Sequence, residues 1–291
     1  MRRFELLEPS SLAAACAILA DDGDARPVAG GTALLTVIKQ GLLRPGTLVN
    51  LHKIQEAREI TYDPQNGLAI GALATIREVE SAPPLRQHYA ALAQACHVVA
   101  NVRIRNMATL GGNLAHADYQ SDPPTMLAAL DADVELMSAG GTRQLNLLDF
   151  ILGGYETALK PGELVTGVRI PAPPQGIRST YMKFTTGSSE ERPCAGVAAL
   201  VHRENGVCRE LRLAIGAVSP KPVRILGGEA MARNQELTAG LIERVAAEAA
   251  RTIDPIDDIR GPAEYKRHLV GVLARRAIFS CLEEGHGAAT P

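Results

Sequence analysis

The 291-residue sequence lacks the local motifs that mark most nucleotide and metal sites. It contains no G-x-G-x-x-G, G-K-[ST], G-x-S-x-G or H-E-x-x-H, so a Rossmann site, a P-loop, a serine-hydrolase nucleophile and a zincin are unsupported. The five cysteines include no C-x-x-C pair, and local spacing therefore assembles no zinc or iron–sulfur ligand set. Because they are odd in number and dispersed, we interpret them as small apolar residues in a reducing compartment.

Strong net charge and long apolar runs are also missing. The 30 Lys and Arg residues nearly balance the 32 Asp and Glu residues, so no nucleic-acid partner is expected. The longest apolar run, "LAAACAILA", is too short to cross a bilayer, and no membrane span is expected. Glu5, Glu8 and Pro9 interrupt the first residues before an apolar signal-peptide core can form, and we expect a cytoplasmic location.

Alternating helical and strand patterns follow along the chain. The stretch "ARPVAGGTALLTVIKQG" predicts a short strand, a glycine loop and a helix, and further strands are predicted in "TLVNL" and "GLAIGAL". Helices are predicted in "PSSLAAACAILADDG", with a serine N-cap, and in "PPLRQHYAALAQACHVV" and "PPTMLAALDA". A hairpin is predicted in "DVELMSAGGTRQLNL", with its turn at Gly140–Gly141. The proline-rich "PAPPQG" predicts a domain boundary, beyond which three strands and two long helices are expected.

Two polar loops with paired glycines are the candidate sites. The stretches "AGGTALL" at 29–35 and "TLGGNLAHADYQSD" at 109–122 each place a Gly-Gly step near a hydroxyl residue and before a helical pattern. Backbone amides in such loops can surround a phosphate or pyrophosphate group. On spacing alone, a phosphate-bearing cofactor and two ordinary tight turns both remain open.

Five separated segments carry a resemblance to a known family: "PVAGGTALL", "VRIRNMATLGGNLAHADYQSD", "GELVTGVRIP", "TYMKF" and "GPAEYKRHLVGVLARRA". They follow one another in family order over nearly the whole chain. On these segments the sequence resembles the FAD-binding subunit of the molybdenum hydroxylases. That group includes the medium subunit of aerobic carbon monoxide dehydrogenase and the flavin domain of xanthine dehydrogenase.

The resemblance implies an α+β fold of the vanillyl-alcohol-oxidase/CO dehydrogenase flavoprotein type. A two-part FAD-binding domain is expected at 1–175, with subdomains at about 1–55 and 56–175. A smaller C-terminal domain with a three-stranded antiparallel sheet and helices is expected at 176–283, followed by a disordered tail at 284–291.

The resemblance also implies that FAD binds non-covalently, with no catalytic residue and no metal ligand on this chain. The implied FAD-binding residues are Val28, Ala29, Gly30, Gly31, Thr32, Ala33, Leu34, Val99, Ala100, Thr109, Gly111, Gly112, Asn113, His116, Asp122, Val165 and Lys183. The first glycine loop would wrap the pyrophosphate with its amides, and the second would supply the other half of the cradle. Asp122 would accept hydrogen bonds from sugar or ribitol hydroxyls.

Three of these residues are expected near the flavin ring. Val99 and Val165 would supply apolar contacts, and Lys183 would be a cation that stabilises the negative charge of reduced flavin. The sequence also departs from the family pattern. Ala33 replaces a polar residue, Tyr119 stands where proline is usual, and residues 185–194 lack the usual arginine and aspartate spacing.

Several of these residues also have simpler interpretations. His116 reads more readily as a loop histidine that packs near the cofactor than as a catalytic base or a covalent flavin attachment point. Asp122 precedes two prolines and could be the N-cap of the next helix, a role compatible with ligand binding. Arg103 and Arg105 could clamp a phosphate, but we interpret them as solvated or paired charges on a strand edge.

The resemblance implies a multi-subunit oxidoreductase. A small subunit would carry two [2Fe–2S] clusters and a large subunit the molybdenum cofactor, assembled as a dimer of heterotrimers, and this chain would relay electrons from the clusters to an external acceptor. Because the chain lacks cluster ligands of its own, electrons are expected to arrive from outside. Two alternatives stay open: a self-contained flavin reductase of the cell-wall nucleotide-sugar type, and a structural subunit that has lost FAD.

Overall fold

A computed structural model describes residues 3–283, and the predicted tail at 284–291 lies outside the described residues. The chain divides into two units. The first comprises the described parts of Met1–Val79 together with Asn101–Asp118 and Asp133–Ile170. The second comprises Glu80–Ala100, Tyr119–Ala132 and the described parts of Pro171–Pro291. The predicted boundary near residue 175 stays a prediction.

Helices and strands alternate through both units. The helices are α1 Leu12–Asp21, α2 Leu34–Lys39, α3 Ile76–Ser81, α4 Pro83–His88, α5 Ala90–His97, α6 Val102–Arg105, α7 Leu110–His116, α8 Asp122–Ala129, α9 Leu147–Phe150, α10 Leu226–Ala232, α11 Ala239–Thr252 and α12 Ala263–Leu282. The strands are β1 Glu5–Leu7, β2 Arg26–Val28, β3 Thr47–Asn50, β4 Ile60–Asp63, β5 Gly67–Gly71, β6 Asp133–Ser138, β7 Gly141–Asn146, β8 Ile151–Gly153, β9 Glu156–Thr157, β10 Leu164–Ile170, β11 Arg178–Phe184, β12 Ala195–Glu204, β13 Val207–Gly216, β14 Val223–Arg224 and β15 Gln235–Glu236.

The first unit contains a parallel sheet and an antiparallel sheet. Strands β1, β3 and β2 pair in parallel, and α1 begins at its N-cap Ser11, whose side chain accepts a hydrogen bond from the Ala14 amide. Ala15, Cys16 and Leu19 of α1 are buried at helical spacing against Val49 and neighbouring core residues. The antiparallel sheet has the order β4-β5-β10-β6-β7, with a bulge in β10.

The second unit is an antiparallel sheet packed on helices. Strands β11, β12 and β13 follow one another as predicted, and Asn205–Gly206 closes the β12–β13 hairpin. Both turn residues have positive φ, 51° and 81°, as a two-residue type I′ turn requires. The two-residue strands β14 and β15 extend the predicted three-stranded sheet. The predicted α+β class is confirmed.

Helices α10 and α12 pack against this sheet, and α11 packs against α10 and α12 in the same hydrophobic core. In α11 the buried positions include Leu241, Val245 and Ala249, which repeat every four residues. In α12 the buried positions include Leu273, Ala277 and Cys281, which are also four residues apart. No helix of the described chain is long and apolar enough to cross a membrane.

Local structure differs from the sequence interpretation in several places. Strand β4 was missed, and the predicted helical stretch that begins at residue 83 is two helices, separated at Tyr89. The β6–β7 turn is formed by residues 139–140, one position earlier than expected. Arg103 and Arg105 lie on the single-turn helix α6, so their placement on a strand edge was wrong. Asn101 begins that helix by accepting a hydrogen bond from the Ile104 amide.

Candidate functional site

The first glycine loop connects β2 to α2 in the first unit. Gly31 has a φ of 69°, a left-handed conformation that glycine adopts without steric cost. At Gly30 a Cβ would lie 1.8 Å from the carbonyl oxygen of Met107 and 2.9 Å from the Cα of Ala108. The first loop therefore packs directly on the backbone just before the second loop, so the fold brings the two predicted loops together.

The first loop presents backbone amides without acceptors. Residues 29–34 are all half-buried. Within the described part of the chain, the amides of residues 30–33 donate no hydrogen bond, whereas the next amide, that of Leu35, donates to the Gly31 carbonyl oxygen at 3.0 Å. Half-buried amides are expected to find an acceptor. A row of four such donors fits an anionic group such as a phosphate.

The second glycine loop uses its amides within the protein. The amides of Leu110, Gly111, Gly112 and Asn113 donate to the Ala74 oxygen, the Ala72 oxygen, the Thr109 Oγ1 and the Thr109 oxygen, at 2.9, 2.8, 3.1 and 2.9 Å. Thr109 is thus the N-cap of α7. A Cβ at Gly111 would lie 2.4 Å from the Cβ of Ala72, so this glycine is needed for packing.

The two loops therefore differ in what they can offer a ligand. The amides of the second loop are already engaged, and its contribution to a phosphate site would have to come from side chains. The Thr109 hydroxyl accepts a hydrogen bond from Gly112, which leaves its proton to donate. The predicted contacts of residues 109–113 with the cofactor stay predictions.

Two other predicted residues lie elsewhere in the first unit. The His116 ring is half-buried at the end of α7, 5.2 Å from the Tyr155 ring centroid to centroid. Ala117 ends the helix in the left-handed conformation, and its carbonyl oxygen accepts from the Tyr155 amide at 2.7 Å. Val165 is buried in β10 beside the bulge. His116 is thus the last residue of a helix and packs against Tyr155, and contact of His116 or Val165 with the cofactor stays a prediction.

In the second unit, the site is built from buried side chains. Tyr181 and Lys183 are two residues apart on β11, so they point to the same face. The Tyr181 hydroxyl donates to Asp122 Oδ1 at 2.8 Å, and Lys183 Nζ donates to Asp122 Oδ2 at 3.1 Å. Asp122 is the first residue of α8 and Ser121 is the N-cap, so the N-cap interpretation of Asp122 was wrong.

Burial dominates the electrostatics of this trio. The side chains of Lys183 and Asp122 are 7% and 4% exposed. Burial raises the pKa of Asp122 to about 6, although the Lys183 charge and the Tyr181 hydroxyl act in the opposite direction. Burial and the neighbouring Asp122 carboxylate raise the pKa of Tyr181 well above its ordinary value. Tyr181 is therefore a neutral hydrogen-bond donor at physiological pH.

Lys183 also fixes the segment that contains two predicted flavin contacts. Its Nζ donates to the Val98 carbonyl oxygen at 2.7 Å. The next residue, Val99, donates its amide to the Cys96 oxygen, and Ala100 has a φ of 42°, which is uncommon for a residue with a side chain. The fold thus brings residues 98–100 and Asp122 together at Lys183. Because Asp122 neutralises the Lys183 charge, a free cation beside the flavin stays a prediction.

Sequence reasoning missed the role of Tyr181 and of the glycine that makes room for it. Gly196 lies on the neighbouring strand, and a Cβ there would lie 2.5 Å from the Tyr181 hydroxyl oxygen. The available signal was a glycine within the apolar first part of β12, since a glycine inside a strand often marks close approach of another group.

The chain is similar to known proteins over nearly its whole length. Residues 2–173 match the FAD binding domain in molybdopterin dehydrogenase, and residues 181–280 match the CO dehydrogenase flavoprotein C-terminal domain. The carbon monoxide dehydrogenase medium chain of Hydrogenophaga pseudoflava is 30% identical, covering 95% of this chain and 96% of the relative. The glyceraldehyde dehydrogenase medium chain of Sulfolobus acidocaldarius is also 30% identical, covering 94% and 96%.

Solved structures of similar proteins match the fold of this chain over nearly its whole length. Carbon monoxide dehydrogenase from Hydrogenophaga pseudoflava matches with a TM-score of 0.93 and 29% identity, covering 97% of this chain and 98% of the other. Quinoline 2-oxidoreductase from Pseudomonas putida 86 matches with a TM-score of 0.91 and 28% identity, covering 96% and 97%. The resemblance inferred from five sequence segments is confirmed: the chain belongs to the FAD-binding subunit family of the molybdopterin dehydrogenases, which are oxidoreductases.

Proposed function

We propose that this chain is the FAD-carrying subunit of a molybdenum-dependent hydroxylase or dehydrogenase, and that it relays electrons from [2Fe–2S] clusters of a partner subunit to an external acceptor. The observation that carries the proposal is the row of unused amides at residues 30–33, in a chain that belongs to an FAD-binding family. When bound, FAD supplies the chemistry of accepting and releasing electrons.

In the first unit, the amides of residues 30–33 would donate to the phosphate oxygens. The hydroxyls of Thr32 and Thr109 would add two further donors. Thr32 directly follows the paired glycines of the first loop, and Thr109 is the first residue of the second loop. Such preformed donors lower the cost of binding an anion, since little reorganisation is needed. The relation of Val165 and His116 to the cofactor belongs to the same proposal.

In the second unit, Lys183 would hold residues 98–100 in the conformation that offers Val99 to the flavin ring. Asp122 would accept hydrogen bonds from hydroxyl groups of the cofactor. Tyr181 and Lys183 both donate to Asp122, which orients its carboxylate. In this proposal the two protein donors leave the remaining lone pairs of the carboxylate for the cofactor.

The partners proposed are a large molybdenum-cofactor subunit and a small [2Fe–2S] subunit, in a dimer of heterotrimers in the cytoplasm. The relatives carry names such as carbon monoxide, glyceraldehyde and putative xanthine dehydrogenase, so similar chains serve different substrates. We propose that the substrate is selected on the large subunit. Purification from the source organism should yield the chain with molybdenum and iron, and a lone flavoprotein active on a substrate would contradict the relay.

Hydrogen exchange in the presence of FAD tests the cofactor site directly. Adding FAD to the cofactor-free chain should slow exchange of the amides at residues 30–33 by at least about tenfold, because they gain acceptors. The amides of residues 110–113 are an internal control, since they already donate within the protein and should change little. Failure to bind FAD, or equal protection of both loops, would contradict the proposed arrangement.

A further inference from the structure

A second buried ion pair lies in the second unit, away from Lys183. Lys266 of α12 is fully buried, and its Nζ is 2.7 Å from Asp258 Oδ2 and 2.8 Å from the Ile256 carbonyl oxygen. A buried ion pair contributes little net stability, because desolvation opposes the attraction between the charges. Its clearest physical effect is to hold the groups bonded to it in one arrangement.

The Asp258 carboxylate holds the chain just before Asp122. Its Oδ2 accepts from Gln120 Nε2 at 3.0 Å and from the Tyr119 hydroxyl at 3.3 Å, while its Oδ1 accepts from the Arg260 amide at 2.8 Å. The Arg260 guanidinium donates back to Gln120 Oε1 at 3.1 Å. Gln120 is therefore held through both ends of its side-chain amide.

Two departures from the family pattern meet at this network. Tyr119 stands where proline is usual, and a proline side chain could not donate to Asp258. In the segment 185–194, the Arg192 carbonyl oxygen accepts from Arg260 Nε at 3.1 Å, and the Cys194 thiol donates to the Arg260 carbonyl oxygen at 3.6 Å. The loop around Asp258 thus anchors both unusual segments.

We propose that the Lys266–Asp258 pair positions Asp122 through Gln120 and Tyr119, so that the carboxylate stays aligned with Tyr181, Lys183 and the hydroxyl groups of bound FAD. Gln120 lies two residues before Asp122, and residues 120–122 are all buried, so a shift of Gln120 is transmitted along the backbone. Gln120, Tyr119, Asp258 and Lys266 are positioning residues. The inference rests on the proposed role of Asp122 in FAD binding.

A double-mutant cycle in FAD affinity tests this coupling on the full chain. Gln120→Leu keeps the side-chain volume but removes both bonds to the loop. It should raise the FAD dissociation constant about threefold to tenfold. In an Asp122→Asn background the same change should alter the constant less than about twofold, because the aligned carboxylate is already gone. Gln235→Leu, at an exposed position of the same unit, is the matched control.

A second measurement needs no cofactor. The difference in unfolding free energy between the chain and its Asp122→Asn variant, followed against pH, reports the titration of Asp122. The Gln120→Leu change should move that titration above 6, because a misaligned carboxylate stays buried but loses the Tyr181 and Lys183 hydrogen bonds that lower its pKa. Gln235→Leu should leave it unchanged.

The outcomes separate this inference from the proposed function. Equal effects of Gln120→Leu in both backgrounds, or an unmoved Asp122 titration, would overturn the positioning role even if thermal stability falls. If the unaltered chain fails to bind FAD, the proposed function fails, and the pH measurement still decides whether the network acts on Asp122.

Discussion

The two units hold their candidate FAD-binding residues by different physical means. In the first unit the usable donors are main-chain amides at residues 30–33, displayed by a loop whose glycines allow close packing. In the second unit the polar groups are side chains, the buried trio of Asp122, Tyr181 and Lys183. Amides do not titrate near neutral pH, whereas a buried carboxylate does, so the two parts should respond differently to mutation and to pH.

Close backbone packing is the sensitive feature of the first unit, and buried charge is the sensitive feature of the second. An added methyl group should lower the unfolding free energy of the first unit because the loop backbones are in contact, and this loss should be independent of pH. Removing the Lys183 charge should lower the unfolding free energy of the second unit because the Asp122 carboxylate is left buried without a cation. This loss should vary with the ionisation of Asp122.

Replacing Lys183 with Met should lower the unfolding free energy by about 3–5 kcal/mol at pH 8, because the Asp122 carboxylate is then buried without its cation. The folded-state pKa of Asp122 is about 6, above its ordinary value, so this group stabilises the fold at low pH and loses that contribution as pH rises through 6. Losing Lys183 raises this pKa further. Denaturant unfolding at pH 8 and pH 5 should therefore show a much smaller loss at pH 5.

Lys39→Met, which removes an exposed lysine, is the control and should have little effect at either pH. An equal loss of unfolding free energy at both pH values in the Lys183 variant would contradict the proposed difference between the buried charges of the second unit and the backbone amides of the first. The same variant tests the proposed cation beside the flavin, since a flavin midpoint potential equal to that of the unaltered holoprotein would contradict that role.

Replacing Gly30 with Ala should lower the unfolding free energy by about 2–3 kcal/mol, equally at pH 5 and pH 8, because the new Cβ collides with the Met107 carbonyl group. Gly23→Ala is a matched control, since no atom lies within 4 Å of a Cβ at that position. The measurement is chemical denaturation of both variants. Equal stability of the two variants would show that the loops are not packed as described.

The smallest expected effect is a difference in stability between threonine variants of the two glycine loops. Thr109→Ala removes the N-cap of α7 and should cost about 1 kcal/mol of unfolding free energy. Thr32→Ala should change stability by less than about 0.5 kcal/mol, because the Thr32 hydroxyl makes no hydrogen bond within the described chain, while still weakening FAD binding. Thermal unfolding and FAD titration of both variants check this. A stability loss at Thr32 matching that at Thr109 would contradict the assignment.

Much of the fold was predictable because local rules decide it. A few neighbouring residues are enough to predict the turn at Asn205–Gly206, the N-cap at Ser11 and helix α8. Arg103 and Arg105 were misplaced because the capping role of Asn101 outweighs the alternation of charged and apolar residues that follows it. Strand β4 was missed because only part of its short sequence is apolar, and its pairing with β5 supplies the remaining order.

The sequence by itself determined the family, the α+β class and the two glycine loops, because these depend on segments whose order and spacing are written in the chain. Only the tertiary structure decided which loop has amides to offer, since that depends on whether Ala72 and Ala74 supply acceptors from a distant segment. It also decided that Asp122 is held by Tyr181 and Lys183. Hydrogen bonds between residues about sixty positions apart exist only after the chain has packed.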